Sequence, residues 1–455
     1  MFRRILIANR GEIALRILRA CRELGVEAVC VYSEADKDAP YLRLADRAIC
    51  IGKGPAKDSY LNIPRIIAAA EVSDADAIHP GYGFLAERAD FAAICRECKI
   101  EFIGPSPEAM AQLGDKVEAK KAARAAKVPV FPGSEGAIEE EDEAVEVAAD
   151  IGYPVIIKAA AGGGGRGMRV CHNESALRAN IKKAQQEAQA AFGNGAVFIE
   201  KFLESARHVE VQVLGDKHGH SVHLFERDCS MQRRHQKIIE EAPAPGVDRK
   251  KVAGVCDSAA RLIRNAEYAG AATVEFLMDA DQSFYMLEVN TRVQVEHPVT
   301  ELITGVDIVR TSILVAAGEK LGMKQKDVSV QGHAMECRLN AEDPARNFMP
   351  SPGRIETWEL PGGPGVRVDS HVVPGYTVPP TYDSMVGKLL AHGEDREACI
   401  VRMVRALREL QVGPIKTVVP LHLQLLEHSA FRENAVDIHF LERSLKQGLL
   451  GPSAG

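Results

Sequence analysis

No apolar run in the sequence approaches the length of a membrane span. The N-terminal stretch Ile5-Leu6-Ile7-Ala8 follows two arginines but stops at Asn9-Arg10-Gly11-Glu12, too soon for a secretory h-region. The expectation is a cytoplasmic protein with no membrane partner. Positive charge is in deficit as well: 56 Lys and Arg stand against 63 Asp and Glu, for a net charge of −7, so charge gives no reason to expect a nucleic-acid partner. The ten cysteines have no repeated spacing. Cys95-x-x-Cys98 lies in a helical pattern, Phe91 to Lys99, and has no second pair to complete a zinc site. The cysteines therefore read as reduced, mostly buried thiols. No Gly-x-x-x-x-Gly-Lys-Ser/Thr, internal repeat or low-complexity tract occurs.

What is present is ordinary globular composition, 46% hydrophobic and 26% charged over 455 residues, enough for two to four domains with clefts between them. Residues 3 to 104 alternate short apolar strands (Ile5–Ala8, Ala28–Tyr32, Ala48–Ile51, Ala77–His79, Glu101–Ile103) with amphipathic helices. That rhythm predicts a parallel sheet covered on both faces. Its first turn lacks Gly-x-Gly-x-x-Gly, so the sheet reads as scaffold. One helix is predicted over Pro107–Ala126 and another over Pro298–Leu321, with a strand over Arg354–Glu359 and a hinge at Pro129, Pro132 and Gly133.

Two stretches carry chemistry. Gly162 to Gly167 lies between the strand ending at Lys158 and the strand Met168–Cys171. A glycine loop between strands opens no helix, which fails the dinucleotide pattern. It suits a flap whose backbone N–H groups close over phosphates, with the Lys158 ammonium in reach; a merely mobile hairpin is the plainer alternative. The second stretch alternates Glu288, Asn290, Arg292, Gln294 and Glu296 with valines, which predicts one extended face loaded with polar groups. Glu275 and Glu288 flank a break at Asp279–Ser283, so a hairpin would oppose two carboxylates. Mg²⁺ bound through them and through nucleotide phosphates would relieve the repulsion, with calcium or an ion pair as alternatives. Arg292 and Gln294 suit a planar oxyanion. Glu296 would repel phosphate and is better placed as a base toward a small acid. Arg338, flanked by apolar residues, is a further cation.

Together with Arg10-Gly11-Glu12-Ile13-Ala14, His79-Pro80-Gly81-Tyr82-Gly83, Arg227-Asp228-Cys229-Ser230, Gln232-Arg233-Arg234-His235-Gln236-Lys237 and Tyr382-Asp383-Ser384-Met385, these residues resemble biotin carboxylase, of the ATP-grasp family, over about residues 1 to 446. The resemblance implies an α/β (α+β) fold in five parts. They are a Rossmann-like domain (1–113), a linker helix and lid (114–203, the lid proper about 131–203), an ATP-grasp core (204–330), a C-terminal mixed α+β domain (331–446) and a tail (447–455). It implies that ATP activates bicarbonate as carboxyphosphate and that the carboxyl group moves to N1′ of carrier-bound biotin, with released phosphate as the base at N1′.

By motif position, ATP would be held by Lys116, Lys158, Gly163, Gly164, Gly165, Met168, Glu200, Lys201, Leu203, His208, Gln232, His235 and Leu277. The resemblance assigns Mg²⁺ or Mn²⁺, as two ions, to Glu275, Glu288 and Asn290. Bicarbonate falls to Lys237, Arg292, Gln294 and the Val295 backbone, and biotin to Arg338 and Tyr82. Glu296, Arg338, Arg292 and Lys237 would be catalytic, Glu296 as the bicarbonate base and Arg338 as the cation on the biotin enolate.

Pro414 inside Val412-Gly413-Pro414-Ile415-Lys416-Thr417, and Glu433-Asn434-Ala435 without a glycine, depart from the family only near the end. The chain lacks a biotin-acceptor Ala-Met-Lys-Met. The expectation is thus a stand-alone subunit, a homodimer by family habit, that meets a separate biotin carboxyl carrier protein and carboxyltransferase subunits. Acetyl-CoA carboxylase and fatty acid biosynthesis are the favoured setting, ahead of propionyl-CoA or pyruvate carboxylase. Another ATP-grasp ligase would cleave ATP without regard to bicarbonate or biotin, and a silent assembly subunit would carry substitutions at Glu275, Glu288, Arg292 or Glu296.

Overall fold

The computed structural model describes residues 1–134, 136–138, 140–159, 168–192 and 195–450. The glycine loop, with Gly163, Gly164 and Gly165, lies outside the described residues. Strands β1 (Arg4–Ile7), β2 (Glu27–Tyr32), β3 (Arg47–Cys50), β4 (Ala77–His79) and β5 (Glu101–Phe102) form a parallel sheet in the order β3-β2-β1-β4-β5, as the alternating pattern predicts. Ile5, Leu6 and Ile7 are all fully buried, because the crossover helices cover both faces.

A second, small sheet joins β6 (Val155–Ala159), β7 (Arg169–Cys171) and β8 (Val197–Lys201) in the order β7-β6-β8. The site is built on a third sheet of eight strands. It begins with β9 (Arg207–Gly215), β10 (Ser221–Arg233), β11 (Gln236–Ala242), β12 (Gly270–Met278), β13 (Phe284–Asn290) and β14 (His333–Asn340), and adds Val366–Ser370 and Met385–Gly393. Its order is β13-β12-β9-β10-β11-β14, then Met385–Gly393 and Val366–Ser370. On β9 the residues alternate. Val209, Val211 and Val213 are buried in an apolar core beneath the helix Arg249–Asn265, each worth about 1.5–3 kcal/mol of burial, while His208, Glu210 and Gln212 take the opposite face.

Several sequence expectations change. The helix over Pro107–Ala126 is two, Pro107–Gly114 and Lys116–Ala125, because Asp115 accepts from the N–H groups of Val117 and Glu118 and starts a new helix. Pro298–Leu321 likewise divides into His297–Thr304 and Ile308–Ala316. Gly305 at φ 70° closes the first, and Asp307 caps the second through the Arg310 N–H. The strand over Arg354–Glu359 is two short strands, Gly353–Arg354 and Thr357–Glu359. The largest correction concerns the polar row. Strand β13 ends at Asn290, and residues 291–296 form a loop that turns into the helix His297–Thr304, so Arg292, Gln294 and Glu296 do not share a strand face. No helix among the described residues is long and apolar enough to cross a membrane. All ten cysteines are free, eight of them buried.

Candidate active site

The hairpin β12–β13 does oppose Glu275 to Glu288, and Glu275 is in turn opposite Glu210 on β9, which is opposite Arg227 on β10. Three acids therefore cross the sheet in one line and end on a guanidinium. Arg227 is fully buried. It donates to Glu210 Oε1 (2.6 Å), Gln212 Oε1 (2.8 Å), Thr300 Oγ1 (3.0 Å), Thr273 Oγ1 (3.3 Å) and Gln294 Oε1 (2.8 Å). Arg227→Met is expected to cost about 3–5 kcal/mol by leaving Glu210 buried without this partner, read as a lowered urea midpoint.

Lys237, the second residue of β11, donates to Glu210, Glu275 and Glu296. Burial works against its charge, yet these three carboxylates hold its pKa well above the usual lysine value. Glu275 also accepts from Asn290 Nδ2 at 2.8 Å and Gln294 Nε2 at 2.6 Å, and His208 Nε2 lies 2.9 Å from its other oxygen. Burial raises its pKa, but Lys237 and His208 overcome that and bring it below the carboxylate range. Burial lowers His208 and Glu275 more than offsets it, leaving the imidazole raised. Glu288 is different: its side chain is exposed, and partial desolvation of its carboxyl together with the charge of Glu275 raises its pKa, against Lys116 and His208. Its carboxylate faces a neighbouring acid without a close cation of its own, as a divalent-cation position requires.

Glu296 sits at the end of the loop, buried, between two cations. Lys237 donates to one oxygen and Arg338 NH2 to the other at 2.9 Å. Burial raises the carboxyl, but Lys237, Arg338 and Arg227 drive it well below its ordinary value. Arg338 on β14 donates its Nε to Glu240 at 2.6 Å. Arg292 bonds Glu87 (2.8 Å) and Asn290 Oδ1 (2.9 Å), and the Val295 carbonyl accepts from buried Lys388 at 2.7 Å. A cavity of about 480 Å³ opens beside this cluster, lined among others by Tyr82, Phe84, Lys237, Val295, Arg338 and Tyr382. Tyr82 donates to Glu12, and Asn9 holds the Tyr82 loop by donating to the carbonyls of Pro80 and Tyr82.

The structure thus gathers Lys237, His208, Glu275, Glu288, Asn290, Gln294, Glu296 and Arg338 into one contiguous group, with Tyr82 and Val295 on the cavity side. Leu277 is half-buried on β12, opposite His208. Gln232 is buried opposite Lys237, and His235 is exposed in the two-residue turn between β10 and β11, where Arg234 (φ 48°) and His235 (φ 65°) are both left-handed. Lys116 and Met168 are exposed. Glu200, Lys158 and Lys201 stand apart on the small sheet, with Leu203 half-buried just beyond it. Glu200 accepts from Lys120 (2.6 Å) and Lys158 (2.5 Å), and Lys201 donates to the carbonyls of Gly152 and Tyr153. Among the described residues no hydrogen bond or ion pair joins them to the Glu275 group. Sequence reasoning missed Glu210, Glu240, Glu87 and Lys388. Glu210 was legible, since His208-Val209-Glu210-Val211-Gln212 alternates on a real strand; the others are brought in by packing between distant segments.

Three comparisons bear on this arrangement. The family model described as "Biotin carboxylase, N-terminal domain" matches residues 1–110, "Carbamoyl-phosphate synthase L chain, ATP binding domain" matches 115–324, and "Biotin carboxylase C-terminal domain" matches 336–443. Biotin carboxylase of Pseudomonas aeruginosa is 56% identical over 98% of this chain and 99% of its own length. The structure of a biotin carboxylase–ATP-type complex from Campylobacter jejuni superposes with a TM-score of 0.90 at 51% identity, covering 97% of this chain and 99% of that one. The biotin carboxylase domain dimer of Hydrogenobacter thermophilus 2-oxoglutarate carboxylase, in complex with MgADP, ADP and bicarbonate, superposes with a TM-score of 0.89 at 45% identity over 98% of each chain. The fold is the ATP-grasp arrangement of those enzymes, and the chain belongs to the biotin carboxylase family of ATP-dependent ligases.

Proposed function

We propose that this enzyme carboxylates N1′ of biotin on a biotin carboxyl carrier protein, through carboxyphosphate, as the first half-reaction of an acetyl-CoA carboxylase that also has carboxyltransferase subunits. The observation that carries the reading is Glu296 held between Lys237 and Arg338 where the carboxylate cluster meets the cavity. In this reading Glu296 removes the proton of bicarbonate while Lys237, Arg292, Gln294 and the Val295 backbone hold the anion. The bicarbonate oxygen attacks the γ-phosphorus of ATP and ADP departs. Carboxyphosphate then yields CO₂ and phosphate, the phosphate takes the N1′ proton, and N1′ attacks CO₂. Arg338 balances the negative charge that develops on the biotin carbonyl oxygen, with Tyr82 beside it.

Glu275, Glu288 and Asn290 would hold Mg²⁺ or Mn²⁺, as two ions, and the unbalanced Glu288 carboxylate opposite Glu275 fits that role. When bound, the ions neutralise charge on the nucleotide phosphates. The remaining nucleotide groups are the Lys116, Lys158, Gly163–Gly165, Met168, Glu200, Lys201, Leu203, His208, Gln232, His235 and Leu277 set, in a homodimeric, cytoplasmic enzyme. The likeness to a 2-oxoglutarate carboxylase domain supports a second reading, in which the final acceptor is an oxo acid. Both are tested by purifying the biotinylated protein that accompanies this chain and supplying ATP and labelled bicarbonate. Label is expected on that carrier, and on malonyl-CoA once acetyl-CoA and the partner subunits are added. Label passing to an oxo acid instead would select the second reading, and ATP consumption with an unlabelled carrier would sink both.

A further inference from the structure

Behind Arg338 the sheet buries more acid than its nearest cation balances. Glu240 on β11 and Glu336 on β14 are direct cross-strand partners, and both are fully buried. Cross-strand neighbours have Cβ atoms about 4.5–5.5 Å apart. Arg338 lies two residues along β14, on the same face as Glu336. Its Nε is given to Glu240 and its NH2 to Glu296, so Glu336 receives no hydrogen bond from it. Neither oxygen of Glu336 has a protein partner, and neither does the second oxygen of Glu240.

Tyr82 lies near, its phenol raised by burial, by Glu12 and by Glu336, and buried His297 sits on the helix packed against β11 and β14; the other groups facing the pair are few. Arg338 comes from β14 itself and Lys237 from β11. Lys388 comes from the strand Met385–Gly393, where it opposes Arg338; its ammonium is committed to the Val295 carbonyl and lies 3.2 Å from Glu12 of the first helix. Glu296 comes from the loop above, and Asp369, opposite Lys388, is held by Arg367. Two ionised carboxylates, with the guanidinium bonded to only one of them and Lys388 committed elsewhere, would repel strongly in so dry a place. One proton between them removes the conflict.

Resting on the reading of Arg338 given above, we propose that Glu240 and Glu336 hold one proton between them and act as a positioning pair. The pair keeps a single counter-charge behind Arg338, so that the guanidinium can turn from Glu296 to the biotin carbonyl. Burial, opposed by Arg338, pushes Glu240 up to about 7, and burial lifts Glu336 well above the carboxylate range. Loss of the shared proton puts a second negative charge behind Arg338 and draws it away from the substrate. Neither residue touches biotin in this scheme.

The test has a readout that needs no turnover. Infrared spectra of the wild-type enzyme at neutral pH should contain the carbonyl stretch of a protonated carboxylic acid. That band should shift in D₂O, titrate away at alkaline pH and vanish in Glu336→Gln; a wild-type spectrum without it overturns the proposal whether or not the variant folds. In kinetics, the KM for free biotin should rise with pH in the wild type, toward a limit of about tenfold per pH unit for one proton. It should be flat in Glu336→Gln, while bicarbonate-dependent ATP cleavage keeps the same pH profile in both. An equal rise in the variant overturns the proposal. Absence of bicarbonate-dependent cleavage in the wild type would instead count against the proposed function, and the infrared result would still decide the pair.

Discussion

Glu296→Gln is expected to bind ATP as the wild type does and to lose bicarbonate-dependent ATP cleavage by about 10²–10⁴-fold, the usual worth of a positioned general base. The substitution is nearly isosteric. The amide oxygen can still accept from Lys237 or Arg338 though its NH2 cannot, and Lys237 keeps Glu210 and Glu275 while Arg338 keeps Glu240, so both cations keep a partner. What disappears is the ability to take a proton. Nucleotide affinity measured by calorimetry and ATP cleavage measured with and without bicarbonate separate the two effects. Cleavage that remains at the wild-type rate would remove Glu296 from the role of base.

The resting structure makes Glu296 a poor base, and the reason bears on the order of events. Lys237, Arg338 and Arg227 stabilise the carboxylate and drive its pKa down despite burial. A carboxylate so well satisfied has little affinity for a proton. The same cations are those proposed to hold bicarbonate and the biotin enolate. In the proposed mechanism Lys237 turns toward bicarbonate and Arg338 toward biotin, and Glu296, losing the partners that depress it while staying buried, becomes more basic. In that mechanism, basicity is then coupled to occupancy of the site.

The parallel sheet was legible because β1, β2 and β4 are largely buried on both faces and read as short apolar runs separated by helical periods, while β3 lies exposed at the sheet edge. The Glu275–Glu288 pairing was legible because a polar break lay between two apolar strands. The Arg292–Glu296 alternation looked like the same kind of signal but is not a strand: β13 ends at Asn290 and the chain turns into the helix His297–Thr304. Those residues still reach one site, since Gln294 and Asn290 both bond Glu275. Side-chain type was therefore a better guide than period. Strands β11, β14 and Met385–Gly393 gave no clear period because their inner faces carry buried Glu240, Glu336 and Lys388 and half-buried Arg338 in place of apolar residues. Charged groups that pair only across strands far apart in sequence leave no local pattern to read.

Arg338→Ala is the second large effect, and it should divide the reaction. Biotin carboxylation is expected to fall by about 10²–10³-fold, the scale seen when a group that stabilises a developing oxyanion is removed, while bicarbonate-dependent ATP cleavage falls much less. Equal loss of both would contradict a role at biotin. The fold should survive, because Glu240 is already pushed up to about 7 with Arg338 in place and rises further without it, so the orphaned acid takes a proton. The sign of the stability change follows. A carboxyl whose folded pKa lies above its unfolded value favours the folded state at low pH and loses that contribution as pH rises through the folded value. The thermal midpoint of the variant should therefore stay near that of the wild type in mildly acidic buffer and fall progressively below it above neutral pH. A constant gap across that range would mean that Glu240 does not titrate, and the Arg338 guanidinium would then be a structural tie between β11 and β14 and no more.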